Sequence, residues 1–423
     1  MKRNAIEELI KWKNDEERKP MVLRGARQVG KTWIMKEFGK TYYEKYFYFN
    51  FDEEDNLSSI FDTKDVKRII ELLSLIVGEK IEPEKHLIIF DEIQECPNAL
   101  NSLKYFYENA NEYHIISAGS LLGTLLATPK SYPVGKVNLL EITPLTFDEY
   151  LEAVDQTIYE YYINVQDKTK IEGYFHERLL DLYNYYLIIG GMPECISSWI
   201  KYRDPKRINR IQEELIQLYE NDFSKHNGKV NAGRLLMVFR SIVTQLAKDN
   251  EKFVYGLVRE GARAREYEEA IEWLVSAGLL LRIYNVSKVE HPLNAYQQLN
   301  HFKLLKHMAT VSNESILTKT DYQFKGPLTE NYVLQQIYNL FDTTPKYYSP
   351  SPTMEIDFLV QDSLNIIPME VKAGEAITSN SFKKYIKSYQ PEKAIRYSKL
   401  NYDQNDMFTN IPLYMVRRTK EFI

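Results

Sequence analysis

The sequence predicts a multidomain α/β chain: a wound, mostly parallel sheet over residues 1–150, a helical region over 151–230, a winged helix over 231–312 and a second α/β domain over 313–423. Three observations predict it. In the first 150 residues, short apolar runs alternate with amphipathic helical stretches, the order of a parallel sheet. Between 232 and 305, two helical stretches precede two strand-like runs, which is the order of a winged helix-turn-helix. After about 325, one helix and five strand-like runs return to α/β. At 423 residues the chain also exceeds a single ordinary core.

The elements follow in order. Strands are expected at 21–23, 46–51, 87–90, 114–117 and near 137–142, with helices at about 31–40, 65–77 and 98–110 between them. Pro144-Leu145-Thr146-Phe147-Asp148-Glu149-Tyr150 opens a helix with an acidic first turn. Residues 150–228 read as helical, interrupted at Gly190-Gly191-Met192-Pro193, a break able to close over a nucleotide. The polar stretch from Asn221 to Asn231 marks a boundary. Leu235, Leu236, Val238, Phe239, Ile242, Val243 and Leu246 then repeat at helical spacing. A second helix carries Tyr267, Ala270, Ile271, Leu274 and Val275 and stops at Ala277-Gly278. Strand-like runs at 279–286 and 295–305 complete the ribbon. The last region holds a helix at 328–341 and strands at 346–349, 356–360, 366–371, 394–397 and 413–416, with a hairpin turn at Asp362-Ser363.

Gly25-Ala26-Arg27-Gln28-Val29-Gly30-Lys31-Thr32 spells G-x-x-x-x-G-K-T between the first strand and helix. This is the setting of a phosphate-binding loop. Glycines at both ends let the backbone curl until its N–H groups point inward. The helix that begins at Lys31 and Thr32 and continues through Trp33 adds the positive end of its dipole. Lys31 supplies a charge for the β- and γ-phosphates of ATP, and the Thr32 hydroxyl is placed for Mg²⁺. The apolar run 87–90 ends in Asp91-Glu92, carboxylates at a strand's C-terminal end. Asp91 is expected to hold Mg²⁺ and Glu92 to polarise the attacking water. Ser120, at the tip of the 114–117 strand, fits either a sensor of the γ-phosphate or a helix cap.

Bulk properties exclude other classes. No apolar run approaches the ~20 residues that span a bilayer. Met1-Lys2-Arg3-Asn4 leads into a charged stretch without a signal-type apolar core. Cys96 and Cys195 give neither a disulfide framework nor metal-site spacing. These features predict a soluble, cytoplasmic protein with no membrane partner. A net charge of −5 argues against a general nucleic-acid binder while allowing a local basic patch. The 32 tyrosines form no repeat and read as core and surface filler.

The whole set of motifs resembles a prokaryotic family of AAA-type ATPases with a C-terminal domain of unassigned function. The resemblance rests on 25–32, Phe90-Asp91-Glu92-Ile93-Gln94, Ala118-Gly119-Ser120, Pro133-Val134-Gly135-Lys136, Gly190-Gly191-Met192-Pro193-Glu194 and Met369-Glu370-Val371-Lys372. It implies an ATPase core, a helical region, a winged helix and a C-terminal domain similar to restriction-endonuclease-like nucleases. Two positions depart from it. Lys136 stands where relatives carry an Arg, keeping the charge and losing the planar fork. Leu305-Lys306-His307-Met308 lacks an Asp that relatives place there.

In the C-terminal region Asp357 begins one hairpin strand, and Glu370 and Lys372 share a face of the next. Nucleases hold Mg²⁺ with two such carboxylates and keep a lysine near the attacking water. Glu330, on the preceding helix, is a further candidate ligand. Arg259, Arg263 and Arg265 cluster at the second helix of the winged-helix region, but Glu266, Glu268, Glu269 and Glu272 follow at once. DNA reading and protein contact fit that charge pattern equally. The combined expectation is an ATP-hydrolysing switch or motor. Its rivals are an ATP-regulated, metal-dependent DNA nuclease and a slow signalling switch that recruits a protein partner or a second copy of the chain.

Overall fold

The computed structural model describes residues 1–119, 135–166, 168–226, 228–246, 252–306, 325–341, 343–351, 353–374 and 380–422. Ser120, Pro133, Val134, His307 and Met308 lie outside the described residues. The chain divides into two compact units, Met1–Pro144 with Ser276–Leu279, and Leu145–Val275 with Leu280–Ile423.

The first unit runs α1 (Ala5–Lys13), β1 (Met21–Arg24), α2 (Lys31–Tyr42), β2 (Lys45–Asn50), α3 (Val66–Val77), β3 (His86–Asp91), α4 (Pro97–Asn109), β4 (His114–Ala118) and β5 (Asn138–Glu141). Its sheet has the order β2-β3-β4-β1-β5, and every neighbouring pair is parallel. All six residues of β3 are buried, as an inner strand covered on both faces requires. The helices are bounded by local chemistry. Asp65 caps α3 by accepting from the Lys67 and Arg68 N–H groups, and Gly78 ends it at a positive φ of 68°. Val66, Ile69, Ile70 and Leu73 of α3 are buried at helical spacing. Phe51, Phe61 and Phe90 meet edge to face with centroids 5.5–5.7 Å apart. Each such ring contributes about 1.5–3 kcal/mol of burial, and Phe90 fixes the strand end that carries Asp91. β1 lies between β4 and β5, so the chain's winding reverses there. Ligands bind beyond the strand ends at such a point.

The second unit begins with helices α5 (Phe147–Val154), α6 (Gln156–Asn164), α7 (Gly173–Ile189), α8 (Pro193–Tyr202), α9 (Pro205–His226), α10 (Gly228–Leu246) and α11 (Ala264–Ser276). Then come β6 (Leu280–Val286), β7 (Gln297–Lys306), α12 (Lys325–Ile337), β8 (Lys346–Ser351), β9 (Met354–Asp362), β10 (Asn365–Lys372), α13 (Asn380–Tyr389), β11 (Ile395–Ser398), β12 (Asp403–Gln404), β13 (Thr409–Pro412) and α14 (Thr419–Phe422). Thr146 and Glu149 form a reciprocal capping box at α5. Phe147, Tyr186 and Tyr332 pack with centroids 5.8–6.5 Å apart, so several of the tyrosines are core. One eight-stranded mixed sheet has the order β12-β13-β11-β10-β9-β8-β6-β7. The β6–β7 ribbon therefore continues the C-terminal sheet, and the Asn285 side chain accepts from the Ser349 N–H at 2.9 Å across that junction.

Two local expectations change. The run 413–416 is 3₁₀ helix (Leu413–Arg418), not strand, and the strand lies just before it at Thr409–Pro412. Leu413, Tyr414, Met415 and Val416 are all buried, and a short run buried on every side carries no period to separate strand from helix. The hairpin turn sits one residue later than expected, because Asp362 pairs with Asn365 and leaves Ser363 and Leu364 at its tip. Ser363 takes the positive φ of 55°. The polar stretch at 221–231 includes the end of α9 and the start of α10.

Candidate nucleotide-binding site

The loop after β1 is shaped by three positive-φ residues, Gly25 (142°), Gln28 (63°) and Gly30 (95°). Glycine at 25 is required twice over, since a Cβ there would stand 2.1 Å from the Ile142 carbonyl oxygen. The loop thus lies directly on the chain leaving β5, where the Ile142 N–H donates to the Arg24 carbonyl at 2.7 Å. Val29 is wholly buried, Arg27 is half-buried, and Gln28 and Trp33 are exposed. Gly30 caps α2, so the helix N-terminus opens into the loop.

Lys31 is only 7% exposed. Its ammonium donates to the Gly25 and Ala26 carbonyls, each at 2.9 Å. Burial lowers its pKa to about 8, while Glu92 and Asp91 pull upward and Arg27 pushes further down. The loop carbonyls therefore wrap the Lys31 ammonium.

Asp91, 4% exposed, is the junction of the site. Its Oδ2 accepts from the Thr32 hydroxyl at 2.6 Å and from the Tyr48 hydroxyl at 2.9 Å. Its Oδ1 accepts from the Glu92 N–H at 3.1 Å. Tyr48 is raised by burial and then by the neighbouring Asp91 charge, so it remains a donor. The Lys36 ammonium stands 3.5 Å from the Tyr48 ring centroid. Glu92 holds a left-handed backbone at φ 47°, immediately before the 3₁₀ turn Ile93–Glu95. Thus Thr32, Asp91 and Tyr48 meet directly, and Lys31 and Glu92 lie within electrostatic reach of each other. Ser120 lies outside the described residues. Lys136 pairs with Glu108 at 3.1 Å.

Two supporting residues carry no local signal. Arg3 is buried, and its guanidinium donates to the Val29 carbonyl at 2.7 Å and the Thr143 carbonyl at 2.6 Å. It ties the loop to the chain after β5 across separations of 26 and 140 residues. Tyr48 pairs in register with Ile89, two places before Asp91, and such diagonal pairs are in reach of a long side chain.

In the second unit the structure brings together the C-terminal trio. Met369 pairs with Phe358, so the antiparallel register sets Glu370 opposite Asp357. Asp357 accepts from the Val371 N–H at 2.7 Å. Lys372 pairs with Glu370 Oε1 at 2.6 Å, and Glu370 Oε2 is buried without a partner. Burial, then the Glu370 charge, raises Asp357 well above the carboxylate range, against Lys372, Lys303 and the Val371 N–H. Burial pulls Lys372 down, but Glu370, Asp357 and Glu330 outweigh it and its net direction is up. Lys303 pairs with Glu355 at 2.6 Å. Among the described residues, no group of three or more His, Cys, Asp or Glu side chains is arranged to hold a metal ion.

Comparison with known proteins fits the first unit. Residues 17–151 match the model of an AAA domain. Residues 180–306 and 325–416 match two domains of unknown function, DUF8612 and DUF4143. No curated protein matches. Among solved structures, the Walker-type ATPase PABY2304 of Pyrococcus abyssi is 15% identical over 75% of this chain and 95% of its own, with a TM-score of 0.45. The ORC1 protein of Aeropyrum pernix, solved with DNA, is 14% identical over 74% and 90%, at 0.27. The STAND protein PH0952 of Pyrococcus horikoshii, with a tetratricopeptide repeat sensor, is 13% identical over 80% and 45%, at 0.30. The N-terminal region is a P-loop ATPase domain of the AAA type. No helix among the described residues is long and apolar enough to cross a membrane.

Proposed function

We propose that this chain is an ATP-dependent switch that binds Mg²⁺–ATP at 25–32 and hydrolyses it with Glu92. The observation that carries the reading is the direct bond from the Thr32 hydroxyl to Asp91 at a loop built on Gly25 and Gly30. Two hard oxygen donors side by side suit Mg²⁺. Thr32 and Asp91 would hold the ion, which supplies charge neutralisation at the phosphates. Lys31 leaves the Gly25 and Ala26 carbonyls for the phosphates, so its charge is used again in the bound state. Backbone N–H groups of 27–30 and the α2 N-terminus bind the remaining oxygens. Glu92, beside Asp91 at the strand end, orients water and takes its proton. Neither Arg24, which pairs with Glu141 at 3.6 Å, nor Arg27 on the loop serves as an arginine finger in this reading. Fast turnover then needs an arginine from a second copy or another partner, worth about 10³–10⁵ in rate.

Calorimetry with Mg²⁺–ATP tests the assignment. Lys31→Ala should lose binding, and Glu92→Gln should bind normally and hydrolyse at least about 100-fold more slowly. Wild-type affinity in the first variant or wild-type turnover in the second would refute the respective role. Turnover that rises with protein concentration supports the partner arginine, and stimulation by DNA supports DNA as a partner of the winged-helix region.

A second reading has one observation in its favour, the convergence of Asp357, Glu370 and Lys372 with Glu330 nearby. In it the C-terminal domain is a nuclease-like site. Purified protein with Mg²⁺ or Mn²⁺ should then cut DNA, and Glu370→Ala should not.

A further inference from the structure

Gln94 is the residue beside Glu92 that the ATPase reading leaves unused. Glu92 takes a backbone conformation unfavourable for any side chain of its size, and the turn around it is over-determined. The Glu92 N–H donates to Asp91 Oδ1 at 3.1 Å. The Glu95 N–H donates to the Glu92 carbonyl at 3.0 Å, and the Cys96 N–H to the Ile93 carbonyl at 3.1 Å. Ile93 anchors the turn in the aromatic core, wholly buried. Strain held in place this firmly sets the direction of a side chain.

The Gln94 amide answers that geometry. Its Nε2 donates to Glu92 Oε2 at 2.5 Å and to Glu95 Oε1 at 3.3 Å. Its Oε1 is buried and has no partner. Reversing the amide would aim that oxygen at two carboxylates, so the orientation is determined although it orphans an acceptor. An unsatisfied buried oxygen is unfavourable, and here it accompanies a grip on Glu92.

We propose that Gln94 is a positioning residue for hydrolysis, holding one oxygen of the Glu92 carboxylate so that the group faces the attacking water in one fixed plane. The inference rests on the assignment of Glu92 to that water. A neutral donor suits the task. A lysine would neutralise Glu92, a glutamate would repel it, and asparagine is one methylene too short to reach. Because Gln94 acts through Glu92 and not on the nucleotide, its loss should appear in turnover alone.

The test uses the full chain with Mg²⁺–ATP. Gln94→Leu should lower kcat by about 10- to 100-fold, the effect of a misplaced reacting group. It should leave KM and the ATP dissociation constant within about twofold. Gln94→Asn, which keeps the polarity, should show the same loss and serves if the leucine variant misfolds. In single-turnover measurements, Gln94→Leu added to Glu92→Gln should cause no further loss. Wild-type kcat in the Gln94 variants, a faster rate, an equal loss in the Glu92→Gln background, or a loss confined to ATP binding would each overturn the proposal. If Glu92→Gln itself turns over normally, the underlying assignment fails first, a result distinct from an active Gln94→Leu beside an inactive Glu92→Gln.

Discussion

Lys31 should impose two pH dependences of opposite sign on the same protein. Burial lowers its pKa in the folded loop to about 8, whereas an unfolded lysine titrates near 10.5. Between those values the unfolded chain carries the extra proton, so folding stability rises with pH across that window. Below it the full penalty of the buried charge applies, about 3 kcal/mol from the 2.5-unit gap. Nucleotide binding runs the other way. Bound phosphates favour the ammonium, so above about pH 8 the protein must take up a proton to bind. With a bound-state value at least as high as an ordinary lysine's, affinity should fall by about 150- to 300-fold by pH 10.5. Calorimetry of Mg²⁺–ADP binding from pH 7 to 10, in buffers of differing ionisation enthalpy, measures both the affinity and the proton uptake. Lys31→Met should lack the stability slope, and Lys31→Arg, always charged, should bind more weakly with a flatter profile. A wild-type affinity flat to pH 10 without proton uptake would refute the reasoning.

Other perturbations separate the supports of the site. Arg3→Ala removes charged donors from two backbone carbonyls, each worth about 1.5–3 kcal/mol, and should lower both the thermal midpoint of the first unit and nucleotide affinity; a variant with both unchanged would show that the loop holds itself. Gly25→Ala places a methyl group 2.1 Å from the Ile142 oxygen, and should abolish nucleotide binding by calorimetry; retained binding would mean that the chain after β5 yields readily. Lys372→Met leaves the buried Glu370 without its cation and should cost about 3–5 kcal/mol in denaturant unfolding, so an unchanged midpoint would show that the Lys372–Glu370 pair does not hold the fold.

The shape of the 25–32 loop was legible because its chemistry is local. Two glycines, a lysine and a threonine act within eight positions, and the flanking apolar runs are short and continuous. Asp357, Glu370 and Lys372 were legible because strand period and a short turn fix which side chains share a face. Arg3 and Tyr48 were not, since each reaches its partner across a fold that no window of sequence contains. The 413–416 run failed for a different reason. It is buried on all sides, and only a face left to solvent gives a strand or a helix its period.

The two polar centres differ in what satisfies them. At the first, Asp91 is surrounded by two hydroxyls and an N–H, all neutral donors. The Lys31 ammonium is held by the Gly25 and Ala26 backbone carbonyls, which it can exchange for phosphates. At the second, the neutralising cation is built in. Lys372 holds Glu370, Asp357 is pushed toward its protonated form, and only Glu370 Oε2 is left unsatisfied. A divalent ion there would have to displace a lysine and remove a proton against burial, where at Asp91 it has to displace neither. The same number of carboxylates is therefore held by neutral donors in the first unit and by a built-in lysine in the second, and this difference favours the 25–32 loop as the site of the proposed function.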